Sequence, residues 1–301
     1  MGPTASGKTD LAISLCKRFP CDVISVDSAL VYRGMDIGTA KPDAETLART
    51  PHRLIDIRDP EDGYSAGEFV RDAYREMDEI FAAGRIPLLA GGTMMYFRAL
   101  TEGIAELPAA DDGLRRAIDA EAAERGWPAM HEDLQDLDPA AAKRIKPNDR
   151  QRIQRALEVY RASGRALSDW QRDSAPKRND IRYLKIGLNI EPRSMLHERI
   201  ARRLSKMVEG GFVEEVRALR ERPALTAASP AMRSVGYRQF WQYLDGAFSL
   251  EEAQNKALYA TRQLAKRQIT WLRSETEVFL ADPLEPDAIG AISAFLAKSL
   301  C

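Results

Sequence analysis

Residues that staple or metallate a protein are scarce in this chain. Its 301 residues include only 3 cysteines and 3 histidines. Cys16, Cys21 and Cys301 form no even framework and no metal-ligand spacing, and His52, His131 and His197 are scattered, which argues against a disulfide scaffold and a His/Cys metal centre. Cys16 and Cys21 read instead as a buried helix residue and a turn residue in a reducing cytosol. Apolar runs of about eighteen residues are also missing, and the start has no charged-then-apolar leader, so a cytoplasmic protein without a membrane span is expected. With 45% hydrophobic and 30% charged residues, the composition is that of a globular chain and not of a disordered one. No internal repeat or low-complexity tract stands out.

Net charge of one sign is nearly absent too, at −1, but its distribution is uneven. Between Lys143 and Arg273 there are 28 Lys/Arg against 14 Asp/Glu, whereas the rest of the chain carries 16 against 31. Solvated helix faces with i,i+4 pairs explain part of this but not the imbalance. A nucleic-acid partner is therefore compatible with the near-zero total.

What is present begins at once. Gly2-Pro3-Thr4-Ala5-Ser6-Gly7-Lys8-Thr9 fits the phosphate-binding loop pattern G-x-x-x-x-G-K-[ST] without mismatch. Glycines let successive N–H groups turn inward around a phosphate, Lys8 adds a mobile point charge, and the Thr9 hydroxyl can hold Mg²⁺ beside it. Asp10 to Leu15 reads as the helix whose positive end completes the cradle. The pattern points to a di- or triphosphate-like ligand. Loops of this kind follow a buried strand, and here only Met1 precedes Gly2. The expectation is a natural protein with roughly 8–15 further residues ahead of Met1, including an apolar run of about five.

Asp22 to Asp27 is a short apolar run of buried-strand character, and ligands of open α/β sheets bind beyond the carboxyl ends of strands. Asp27 should therefore face the phosphate loop, with capping of a turn at Ser28–Tyr32 as the lesser alternative. Residues 53–57 and 85–90 read as further strands, and Ser65 to Ala83 as a helix with Phe69, Ala73, Met77 and Ile80 on its apolar face. The alternation predicts an α/β fold, a P-loop doubly wound parallel sheet core. The strand ending at Ala90 leads into Gly91-Gly92-Thr93 and offers no Asp to orient metal and water, which weakens NTP hydrolysis. From Gly113 to Lys177 the texture becomes helical and rich in Ala and Arg, predicting a helical insertion domain over 113–177 within a core of 1–112 and 178–301. Tyr183 to Ile190 returns to strand character, followed by amphipathic helices at Arg193–Met207 and Val213–Arg220 and a long basic helix at Leu250–Leu272.

These blocks closely resemble the tRNA dimethylallyltransferase family, also called tRNA isopentenyltransferases. The resemblance spans nearly the whole chain. It rests on Gly2–Thr9, on Asp27–Pro42 (DSALVYRGMDIGTAKP), on Ala90–Tyr96 (AGGTMMY), and on Asn148–Arg152 (NDRQR). It continues through Met232–Gln239 (MRSVGYRQ) and Thr261–Arg273 (TRQLAKRQITWLR). It implies transfer of a dimethylallyl group from its diphosphate to N6 of the adenosine on the 3′ side of a tRNA anticodon. The donor diphosphate would occupy Gly2, Pro3, Thr4, Ala5, Ser6, Gly7, Lys8 and Thr9, with Arg152 as a further phosphate ligand and Mg²⁺ as cofactor. Asp27 matches the family's general base, and Thr93 and Arg203 match catalytic positions.

The same resemblance implies tRNA contacts along several segments. They are Asp27, Ser28, Ala29 and Leu30; Thr93; Arg115; Gln151, Arg152, Ile153, Gln154 and Arg155; and Met232, Arg233, Ser234, Val235, Gly236 and Tyr237. The last segment is Lys266, Arg267, Gln268, Ile269, Thr270, Trp271, Leu272 and Arg273. A tRNA anticodon stem-loop and dimethylallyl diphosphate are thus the expected partners of a monomer. Trp271 and Tyr237, interleaved with arginines, could stack on bases, although isolated aromatics are more often core. A nucleotide kinase or a free-adenine-nucleotide prenyltransferase has little use for the basic half. An NTP-dependent switch would want the missing Asp.

Overall fold

The computed structural model describes residues 1–173 and 178–300, so Cys301 and the expected end of the insertion at Lys177 lie outside the described residues. Chain contacts divide the protein into two compact units, Met1–Arg98 with Ile181–Cys301, and Ala99–Asp180. It is a mixed α/β protein whose strand pairs, among the described residues, are all parallel.

The first unit opens with a loop into α1 (Lys8–Cys16), then β1 (Cys21–Val26), α2 (Ala44–Arg49), β2 (His52–Arg53), α3 (Ala66–Ala82) and β3 (Ile86–Gly91). Strand β1 is central in the order β2-β1-β3, and Val23, Ile24 and Val26 have no exposed surface, as a strand covered on both faces requires. Ser65 caps α3 in a reciprocal capping box with Glu68, and Phe69, Ala73, Met77 and Ile80 form its buried face. The strand expected at residues 53–57 shrinks to two residues. Leu54 and Asp56 adopt φ of 62° and 56°, which an extended ladder cannot accommodate. Cys21 begins β1 and does not sit in a turn, with its thiol 3.6 Å from that of Cys16, a half-buried residue at the end of α1.

After α4 (Met94–Glu102), the named elements of the second unit are all helices among its described residues. It contains α5 (Asp112–Arg125), α6 (Trp127–Leu137), α7 (Pro139–Ala142), α8 (Arg150–Ser163) and α9 (Leu167–Arg172). Ile118, Met130, Leu134, Ile153 and Leu157 pack into one core between these helices. Its polar keystone is Glu158, fully buried on α8, which accepts from the Asp111 N–H (2.8 Å) and pairs with Arg115 (2.9 Å) and Arg155 (2.7 Å).

The chain then returns to the first unit with β4 (Lys185–Leu188), α10 (Arg193–Glu209), α11 (Phe212–Arg220), a 3₁₀ turn at Ala231–Arg233, and α12 (Tyr237–Leu244). It closes with α13 (Leu250–Ser274), β5 (Val278–Ala281) and α14 (Ala288–Leu300). Strands β4 and β5 pair with each other, and Met1 lies against β4: its N–H donates to the Ile186 carbonyl (2.7 Å) and its carbonyl accepts from Leu188 N–H (2.8 Å). Helix α12, β5 and α14 were not expected from the sequence. Strand β5 is four residues long and draws its identity from the partner strand β4.

Burial pushes the Glu158 carboxyl up, but Arg155, the Asp111 N–H and Arg115 outweigh it and hold it below the usual 4.5. Its stabilising contribution is therefore complete above pH 4.5 and lost as pH falls through the lower folded value. Glu158→Gln should cost about 1.5–3 kcal/mol at pH 7, and urea titrations should show the gap to wild type closing below about pH 4.5.

Candidate active site

The loop from Gly2 to Gly7 bends through Ala5 (φ 63°) and Gly7 (φ 84°), both in the left-handed region. Gly7 is also the N-cap of α1 and supplies no side-chain cap, so the first-turn N–H groups of that helix remain directed at whatever sits before it. The bend is held from outside. Arg199 of α10 donates Nε–H to the Ala5 carbonyl (2.8 Å), Gln268 of α13 accepts from Thr4 N–H (2.8 Å), and Lys8 Nζ turns back onto the Pro3 carbonyl (2.7 Å). Ser6 is fully buried, and its Oγ has no partner among the described residues.

Asp27 follows β1 directly, at the carboxyl end of the central strand. It does cap the turn: Oδ1 accepts from Ala29 N–H (2.8 Å) and Leu30 N–H (3.3 Å). Both bonds fall on Oδ1, so Oδ2 keeps its acceptor capacity, and the two readings of this residue are compatible. Thr93 lies at the end of the neighbouring strand β3. Its N–H donates to the Val26 carbonyl (3.2 Å), and its Oγ1 accepts from Ser28 N–H (3.0 Å). Adjacent parallel strands ending together thus bring residues 27, 28 and 93 into one turn cluster.

Two cations complete the centre. Burial pulls the Lys8 ammonium down to about 8 from 10.5; Asp27 pushes it back up and Arg203 pulls it further down. Burial likewise lowers Arg203, against the opposing pull of Asp27. These mutual effects place Lys8, Asp27 and Arg203 within one electrostatic neighbourhood. Arg203, on α10, is anchored by Nη2 to the Thr39 carbonyl (2.9 Å).

The Asp36–Thr39 segment that anchors Arg203 is itself clamped by Glu215 of α11, a residue the sequence reading did not single out. Its carboxylate accepts from the N–H groups of Asp36 (2.9 Å), Ile37 (2.6 Å) and Gly38 (3.1 Å), and from the Tyr237 hydroxyl (2.5 Å). A Cβ on Gly38 would lie 2.0 Å from the Phe212 ring, so only glycine fits. Lys41 joins the same knot, reaching Asp36 and Asp56 (both 2.5 Å). A run of backbone N–H groups next to Ile-Gly-Thr, with a buried-side Glu elsewhere, is a signal that only the fold can pair.

The expected RNA-contact segments divide by exposure. Ser28, Gln151, Arg152, Arg233, Lys266, Arg267, Thr270 and Arg273 are exposed, whereas Ile153, Met232, Gly236, Tyr237, Gln268, Ile269 and Leu272 are buried. Tyr237 has no exposed surface and is bonded to Glu215, which leaves it no free face for a base. Trp271 is half-buried beneath the Arg98 guanidinium, 5.6 Å from the ring centre. Arg115 and Arg155 are paired with Glu158, and Gln154 with Asp119 (2.8 Å). Arg152 stands 71% exposed on α8 of the helical unit, 3.3 Å from Asp149. A cavity of about 250 Å³ at the far end of α1, between Cys16, Arg49 and Arg85, holds none of these residues.

Fold and site together define an α/β protein with a cationic, glycine-bounded loop facing a carboxylate at the end of its central strand. The IPP transferase family model matches residues 30–275, and the chain belongs to that family. It is 59% identical over 278 residues to the tRNA dimethylallyltransferase of Alkalilimnicola ehrlichii, covering 92% of this chain and 87% of that one. To tRNA dimethylallyltransferase 2 of Hahella chejuensis it is 55% identical over 291 residues, covering 92% and 88%. The crystal structure of the full-length tRNA isopentenylpyrophosphate transferase of Bacillus halodurans aligns with a TM-score of 0.71 at 38% identity, covering 99% of this chain and 94% of that one. The chain is an enzyme of this transferase type. Among the described residues no helix is long and apolar enough to cross a membrane.

Because Lys8 titrates near 8 when folded and 10.5 when free, the unfolded chain holds more protons between those values, and the Lys8 contribution to stability rises with pH across that window. Lys8→Met keeps the apolar stem without the charge. Thermal melts of the ligand-free protein should show wild type gaining about 1–3 kcal/mol on the variant between pH 8 and 10.5.

Proposed function

We propose that the protein transfers a dimethylallyl group from dimethylallyl diphosphate to N6 of the adenosine 3′-adjacent to a tRNA anticodon, releasing diphosphate. The observation that carries this reading is the meeting of Lys8, Arg203 and the uncapped start of α1 with Asp27. Together they supply an anion cradle and a carboxylate acceptor in one place. An adenine amine is a weak nucleophile, so the allylic carbon must be made electrophilic by stabilising the departing diphosphate. Lys8, Arg203 and the loop N–H groups put positive charge where negative charge develops. The loop acts here as the P-loop of the fold, with the buried, unpartnered Ser6 Oγ gaining a phosphate oxygen as its hydrogen-bond partner.

Mg²⁺ fits this donor set. It takes one or two protein oxygens and fills its remaining positions with phosphate oxygens and water, and Thr9 offers an exposed hydroxyl on the first turn of α1. Among the described residues no cluster of three or more His, Cys, Asp or Glu side chains could cage a metal alone, so Thr9 would hold it jointly with the diphosphate. Bound there, the ion would neutralise charge on the leaving group.

Asp27 accepts the N6 proton on Oδ2 as the C–N bond forms, while the cap bonds on Oδ1 fix the carboxylate's orientation. Thr93, locked to Ser28, shapes the pocket on the acceptor side. An adenosine in an anticodon loop reaches Asp27 only when unstacked, which costs least in a single-stranded loop. The exposed Lys266, Arg267 and Arg273 on one face of α13 then position the RNA through its phosphates. The helical unit, with Arg152 exposed on α8, adds a further surface for the tRNA.

Incubating the protein with labelled donor and either tRNA or free AMP tests the reading directly: label should enter tRNA, and label in AMP instead would make it a small-molecule prenyltransferase. Asp27→Asn should keep binding of donor and tRNA but lower turnover by roughly 10²–10⁴, as single-turnover assays would show. Neutralising Arg267 and Arg273 together should flatten the log–log salt dependence of tRNA affinity by about 0.7–0.9 per lost phosphate contact, with donor affinity little changed.

A further inference from the structure

On α13 the cationic residues Lys266, Arg267 and Arg273 are exposed, whereas Ala265, Ile269 and Leu272 are buried. Gln268 is the polar exception on the inner face, 7% exposed. Its Oε1 accepts from the Thr4 N–H at 2.8 Å, and its Nε2 donates to the Gly92 carbonyl at 2.7 Å. A Cβ at position 92 would stand 2.5 Å from that Nε2, so the glycine there makes room for this amide. One planar group therefore ties the loop that precedes α1 to the turn that follows β3. From Gly92 the tie continues covalently to Thr93, whose N–H and Oγ1 bind Val26 and Ser28 on either side of Asp27.

We propose that Gln268 is a positioning residue of the transfer reaction and not an RNA contact: its amide sets the spacing between the donor-holding loop and the turn that carries Asp27. The inference rests on the proposed function and deepens it. A buried amide satisfied at both ends is rigid, because releasing either arm strands a buried N–H or C=O. No other polarity of side chain serves both ends. Thr4 presents a donor and Gly92 an acceptor, so the brace needs an acceptor and a donor on one plane, which glutamine supplies and glutamate or methionine does not. Because the opposite face of the same helix bears exposed cations, the brace also fixes the loop relative to the surface proposed to meet tRNA.

The test uses the full chain and three readouts: binding of inorganic diphosphate, binding of tRNA, and kcat for transfer to tRNA. Gln268→Met keeps length and helix propensity but loses both hydrogen bonds. Gln268→Asn keeps the amide but is one methylene too short to reach both partners, and serves if the methionine variant does not fold. Each should weaken diphosphate binding about tenfold and lower kcat per folded molecule about 10- to 100-fold, the scale of an ångström-level misplacement, with tRNA affinity within about twofold of wild type. Diphosphate binding needs neither tRNA nor turnover, so it reports on the brace independently of the transfer reaction. Diphosphate affinity and kcat both within about twofold of wild type would overturn the proposal. So would weakened tRNA binding with diphosphate binding unchanged, which would make Gln268 an RNA contact after all.

Discussion

The loop between Gly2 and Gly7 is the constraint on which the rest of the site depends. A backbone bent through two left-handed residues, one of them an alanine, has no ladder of its own to hold it. Its carbonyls and N–H groups are therefore taken up by side chains from distant helices, Arg199 from α10 and Gln268 from α13. Those helices are in turn fixed by burying Leu196, Ile200, Ala265 and Ile269 against each other. The apolar contact between two helices late in the chain thus sets the shape of a loop at its beginning.

The same logic runs through the centre's charges. Burial disfavours the charge on both Lys8 and Arg203, and Arg203 further disfavours the Lys8 ammonium, effects that Asp27 offsets only in part. Such a centre is unstable by itself and is most comfortable around an anion, which is the property a diphosphate-handling site needs. Holding it requires a rigid frame. The Glu215 carboxylate gathers three successive backbone N–H groups and the Tyr237 hydroxyl, and the segment so fixed offers the Thr39 carbonyl to Arg203.

Charge counted along the chain overstates charge available at the surface. Arg115 and Arg155 are absorbed by the buried Glu158, Arg222 by Glu61, Arg161 by Glu121 and Lys185 by Glu275. The exposed cations of α13 lie on its outer face because its inner face is occupied by Ala265, Ile269 and Leu272.

Local features were legible in the sequence because their causes are local. The glycine spacing of Gly2 to Thr9, the apolar run before Asp27 and the 3.6-residue apolar face of α3 each depend on neighbours a few positions away. The α/β class, the family resemblance and the candidacy of Lys8 and Asp27 followed from them. What only the tertiary structure decided involves partners far apart in the chain. The two-residue β2 depends on left-handed turns at Leu54 and Asp56 that tertiary bonds such as Asp56 N–H to the Leu30 carbonyl accompany. Strand β5 exists because β4 pairs with it, and Glu215 matters because Gly38 packs on Phe212. Tyr237 and Gln268 sit in motifs that looked RNA-facing, yet each points inward to a hydrogen-bond partner that no local pattern identifies. Burial and pairing are properties of the whole packing, so sequence fixed which groups were available and the fold decided which of them still face solvent.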